Sequence, residues 1–96
     1  MGAISSSSLR RTVWFSGHVQ GVGFRAITVH VASRFAVSGC VENLPDGRVQ
    51  LVVEGEAAEV ERFLSQLRAE RRANIKSEQM VDGPATGEFS EFRIRR

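Results

Sequence analysis

Across Gly17, Gly21 and Gly23 the hydrophobic period of this chain switches from two to 3.6. Before the glycines, Val13 and Phe15 alternate with Trp14 and Ser16, the pattern of a strand with one buried face. After them, Phe24, Ile27, Thr28, Val31, Ala32 and Phe35 fall on one helical face. A strand over Thr12 to Val19 therefore feeds a helix almost at once, and each needs an apolar partner.

The rest of the chain supplies those partners. Val37, Gly39 and Val41 alternate toward Asn43, and Val49, Leu51 and Val53 alternate toward Glu54. Between them Leu44-Pro45-Asp46-Gly47 is a turn: Pro fixes φ, Asp bonds locally and Gly accepts positive φ. Residues 37 to 54 thus read as a hairpin. Glu56 to Arg72 reads as a second helix, with Val60, Phe63, Leu64 and Leu67 as its buried stripe. Ile75 to Val81 reads as a weaker strand, Asp82-Gly83-Pro84 as a turn, and Phe89 to Arg95 as a last strand with Phe92 and Ile94 inward. The order is βαββαβ plus a short extra strand. That is the α+β, ferredoxin-like arrangement, an antiparallel sheet with two helices on one face. Such a fold hosts many functions, so activity has to be argued from a site.

The 96 residues have room for one domain, taken here as residues 11–96 behind a disordered Ser-rich tail at 1–10. The start Met1-Gly2-Ala3-Ile4-Ser5-Ser6 fits the myristoylation pattern. Only Arg10-Arg11 follows as a basic cluster, and one acyl chain anchors weakly, so the tail reading is preferred. No apolar run is long enough to span a bilayer, and no secretory signal opens the chain. Thirteen basic and 11 acidic side chains give a net charge of +2, which is weak evidence for a nucleic-acid partner and suits an anionic small molecule equally well. Trp14 is the only outward aromatic on the early strands, too little for a base-stacking sheet. The single Cys40 cannot form an internal disulfide and fits a reducing compartment. His18, His30 and Cys40 are too scattered for a metal site, and none is expected.

The stretch Gly17-His18-Val19-Gln20-Gly21-Val22-Gly23-Phe24-Arg25 is where chemistry is concentrated. Its glycines permit close backbone approach, and the helix behind it points free N–H groups into the loop. It is not a phosphate loop of the Gly-Lys-Ser/Thr kind. Gly21-Val22-Gly23-Phe24-Arg25-Ala26 fits a dinucleotide fingerprint, but a hairpin follows instead of a second βαβ half. Two readings stay open from the residues alone: a turn that only redirects the chain, and an anion cradle. A cation in the first turn of a helix is unfavourable, so Arg25 favours the cradle. Its planar fork can clamp two phosphate oxygens.

These nine residues resemble the acylphosphatase signature, G-x-V-Q-G-V-x-F-R. Gly39-Cys40-Val41-Glu42-Asn43, followed by the Pro-Asp-Gly hairpin, is similar to the family's second block. The resemblance runs from Val13 to Ile94. It implies a small cytoplasmic hydrolase that splits acyl phosphates into carboxylate and inorganic phosphate without metal or other cofactor; a monomer is the default expectation for a small hydrolase of this size. By it Arg25 and Asn43 are the catalytic residues. Gly17, His18, Val19, Gln20, Gly21, Val22, Gly23 and Phe24 form the phosphate-binding loop. The amide of Asn43 does not ionise near neutrality, but it can orient a water. Cys40 replaces a frequent Trp of the family, and Gly23 replaces an often bulky residue. The alternative is a non-catalytic phosphate-binding or interaction module on the same fold.

Overall fold

The computed structural model describes residues 8–96. Along it run β1 (Ser8–Gly17), α1 (Phe24–Ala32), β2 (Val37–Asn43), β3 (Val49–Glu56), α2 (Ala57–Glu70), β4 (Ile75–Pro84) and β5 (Phe92–Ile94). The five strands form one sheet in the order β4-β1-β3-β2-β5. β1 pairs antiparallel with both β3 and β4, and β2 and β3 form the expected antiparallel hairpin.

The alternation seen in the sequence decides which face is covered. Val13, Phe15, Val41, Val49, Leu51 and Val53 point one way and are fully buried. Both helices cover that face, α1 through Phe24, Val31 and Ala32, and α2 through Val60, Phe63, Leu64 and Leu67. Phe63 ties α2 to β5 and to the segment after α1, with ring centroids 6.4 Å from Phe35 and 5.6 Å from Phe92. Each such aromatic buries a large apolar area, so the core fixes both helices on the sheet.

The structure corrects the sequence reading in three places. First, β1 begins at Ser8, so Ser8, Leu9 and Arg10 are strand residues rather than tail. Cross-strand chemistry explains this: Arg10 Nε donates to Glu54 at 2.7 Å, and Arg11 Nε donates to Asp82 at 2.7 Å. Residues 1–7, with the lipidation pattern and the rest of the tail, lie outside the described residues. Second, Asp82-Gly83-Pro84 continues β4 instead of turning. Pro84 ends an edge strand, where a missing N–H is tolerated, and Gly83 keeps an ordinary negative-φ backbone. Third, the sheet is not wholly antiparallel. The last strand is shorter than expected and runs parallel to β2, Gly39 facing Phe92 and Val41 facing Ile94.

One buried carboxylate holds the long segment between β4 and β5. Glu54, 4% exposed, accepts hydrogen bonds from Arg10 Nε, the Thr86 hydroxyl and the backbone N–H groups of Thr86 and Gly87. Burial alone pushes this carboxyl up. The hydrogen bonds from Thr86, Arg10 and Gly87 outweigh burial and hold it down at about 2. Downstream of this anchor the chain reaches β5 and lies beside β2.

Candidate active site

β1 ends in a register shift between Ser16 and Gly17, where the chain leaves the sheet. Gly17 has φ 131, and a Cβ there would collide with the Asn74 carbonyl oxygen. His18 N–H donates to that same oxygen at 2.9 Å. Val19, 1% exposed, turns into the core and pins the loop from below. Gln20 Nε2 donates to Leu44 O at 2.8 Å and to Arg48 O at 2.9 Å.

The loop closes on Gly23, which precedes α1 with φ 78. That left-handed backbone suits glycine, and no atom lies within 4 Å of where a Cβ would stand. No side chain caps the first turn of α1, and no acidic residue lies in it. Its leading N–H groups are therefore free to meet an anion. Phe24 anchors the turn in the core, its ring centroid 5.2 Å from that of Phe15. Arg25 is half-buried in the same turn, and among the described residues it has no carboxylate within ion-pair distance.

Asn43 arrives from the other side as the last residue of β2. Among the described residues its Oδ1 is buried and has no hydrogen-bond partner. The turn after it is braced by Asp46, which accepts from Arg48 N at 3.0 Å and Arg48 Nε at 2.9 Å. The Arg48 backbone N–H, helped by the Arg48 guanidinium, holds the Asp46 carboxyl below its ordinary value.

A cavity of about 190 Å³ lies between these elements, lined by Gly21, Gly23, Arg25 and Asn43. Val19 and Phe24 also reach it. Of the expected loop residues, Gly17, His18, Gln20 and Val22 stand outside the lining. The His18 backbone N–H is taken by the Asn74 carbonyl, and the Gln20 side-chain amide by the β2–β3 turn. Ile94 and Arg96 line the cavity too, and the sequence reading missed them. They reach it because β5 runs beside β2, where Arg95 N donates to Val41 O at 2.9 Å. Nothing local marks them; only the pairing of strands far apart in sequence brings them in.

Elsewhere, Cys40 is buried in β2, and burial pushes its thiol up, away from nucleophilic use. Among the described residues no three His, Cys, Asp or Glu side chains converge on a point that could hold a metal ion. Among them, too, no helix is long and apolar enough to cross a membrane.

The solved structure of an acylphosphatase from Coxiella burnetii matches with a TM-score of 0.83 at 29% identity, covering 99% of this chain and 100% of that one. Fold and cavity together describe an α+β, ferredoxin-like domain with a small cavity at a strand-to-helix loop. A family model, Acylphosphatase, matches residues 11–94. A curated acylphosphatase from Gloeobacter violaceus is 49% identical over 91 residues, 95% of this chain and 98% of that protein. One from Paenarthrobacter aurescens is 39% identical over 92 residues, again 95% and 98% of the two chains. The chain belongs to the acylphosphatase family and is a hydrolase of that kind.

Proposed function

We propose that this hydrolase splits the carboxyl–phosphate bond of acyl phosphates without a metal ion, with Arg25 and Asn43 as its catalytic residues. The observation that carries this reading is their convergence on one small cavity at the uncapped N-terminus of α1.

An acyl phosphate already carries a good leaving group, so phosphoryl transfer needs positioning and charge stabilisation above all. The backbone N–H groups from Gly21 to Arg25 and the Arg25 guanidinium hold the phosphoryl oxygens. Because they are fixed before substrate arrives, they follow the charge into the transition state without reorganising. Asn43 Oδ1 accepts a hydrogen bond from a water and aims its oxygen at phosphorus, opposite the leaving group. The water oxygen bonds to phosphorus as the bridging P–O bond breaks, and the carboxylate leaves with that electron pair. One water proton stays on the new P–OH, and the other passes to a phosphoryl oxygen. The products are a carboxylate and dihydrogen phosphate, so no carboxylate base or covalent nucleophile is required.

Arg25 and Asn43 meet within one chain at a cavity of about 190 Å³, which supports a monomer acting on a small molecule rather than on nucleic acid. The free, buried Cys40 suits the cytoplasm. Hydrolysis of benzoyl phosphate, followed by ultraviolet absorbance in excess chelator, tests the reading. Chelator-resistant turnover inhibited competitively by inorganic phosphate is expected. A folded protein that leaves benzoyl phosphate intact would overturn it.

A further inference from the structure

Arg25, in the first turn of α1, and Asn43, at the end of β2, are carried to the site by strands that do not touch. Arg25 follows β1, Asn43 ends β2, and β3 lies between them in the sheet. One side chain spans that gap directly. Gln20 sends both N–H bonds of its amide nitrogen to Leu44 O and Arg48 O, the carbonyls that close the β2–β3 turn. Two carbonyl oxygens fix which end of the amide faces them, since only the nitrogen donates. Each carbonyl also accepts a bond within the turn, Leu44 O from Gly47 N at 3.1 Å and Arg48 O from Leu44 N at 2.8 Å. The turn is thus internally closed, and Asn43 immediately precedes its first tied residue.

We propose that Gln20 is a positioning residue, not a phosphate ligand: it clamps the anion loop to the β2–β3 turn and so sets the distance between the phosphoryl group on Arg25 and the water on Asn43. This rests on the roles given above to those two residues. Few other side chains can do it, because the clamp needs two donors on one atom at the end of a two-methylene arm. Methionine matches the length of Gln20 but donates nothing. Glutamate matches its size and polarity and, when ionised, only accepts.

The test compares Gln20→Met with the wild type for turnover of benzoyl phosphate and for inhibition by inorganic phosphate. Misplacement of reacting groups by about 1 Å costs on the order of 10²-fold, so kcat is expected to fall about 10- to 100-fold. The phosphate inhibition constant is expected to move less than about threefold, since the loop N–H groups and Arg25 stay together on one segment. Repeated on Asn43→Ala, the same substitution is expected to cost less than about threefold, because residues acting through one another are not additive. Loss of phosphate binding in parallel with kcat would make Gln20 a ligand and overturn the proposal. An unchanged kcat, or an equal loss on Asn43→Ala, would overturn it as well. Gln20→Glu yields the same quantities should Gln20→Met fail to fold. The nuclear magnetic resonance signals of the Asn43 side-chain amide provide a readout that needs no turnover. They are expected to shift in Gln20→Met, and signals that stay in place would refute the clamp. A wild type that does not hydrolyse benzoyl phosphate would instead refute the functional reading, leaving this signal to decide the clamp.

Discussion

Replacing Glu54 by glutamine should cost this protein much of its stability at neutral pH and almost nothing in acid. The carboxylate is 4% exposed and accepts four hydrogen bonds, two of them from the backbone of the segment after β4. Its value falls from an ordinary 4.5 to about 2 in the folded protein. At roughly 1.4 kcal/mol per pH unit, that difference is worth about 3 kcal/mol. The sign follows from the direction. A depressed carboxyl stabilises fully above its unfolded value, so the contribution is complete above pH 4.5 and is lost as pH falls toward about 2. Glutamine does not titrate. It also turns an N–H toward Arg10 Nε, a donor facing a donor. For a domain of this size about 3 kcal/mol corresponds to roughly 10 to 20 °C in melting temperature. The assay is urea unfolding of wild type and Glu54→Gln at several pH values, followed by the fluorescence of Trp14, the single tryptophan. The gap between the two should be widest at pH 7 and should close progressively below pH 4.5. A gap that stays constant from pH 7 to pH 2 would show that Glu54 acts by shape alone and refute the electrostatic account.

Other expectations concern the loop and the sheet. Gly17→Ala should destabilise by about 3 kcal/mol or more, since its Cβ meets the Asn74 carbonyl and stands 2.7 Å from Lys76 N. Gly23→Ala meets nothing within 4 Å, so it should cost only the left-handed backbone strain, about 1–2 kcal/mol. Urea midpoints of the two variants separate these cases, and equal losses would contradict the structure. Arg11→Met removes ion pairs with Asp82 and Glu61, whose carboxylates are 46% and 57% exposed. Both return to water, so the loss should be about 1 kcal/mol and should shrink in high salt.

What the sequence made legible was local. The period switch at Gly17–Gly23 marked the strand-to-helix loop because side-chain spacing reports the backbone directly. The Pro45-Asp46-Gly47 turn was equally plain, and it placed Asn43 at a strand end. Hidden features all depended on distant partners. Ser8–Arg10 looked like tail because the reward for ordering them comes from Glu54 on another strand. Asp82-Gly83-Pro84 carried turn chemistry, yet pairing with β1 kept it extended, and the left-handed glycine of that region is Gly87. Ile94 and Arg96 entered the cavity only through the parallel β2–β5 pair. Gln20 belonged to a recognisable motif, but its two acceptors lie 24 and 28 residues away.

In the proposed mechanism Arg25 binds the phosphoryl group while Asn43 orients the water. Calorimetric titration with inorganic phosphate, run beside benzoyl phosphate turnover on folded Arg25→Ala and Asn43→Ala, addresses it most directly. Both variants should lose at least ~10²-fold in turnover, but only Arg25→Ala should lose phosphate binding. Phosphate binding abolished by Asn43→Ala, or turnover preserved in either variant, would contradict this division of roles.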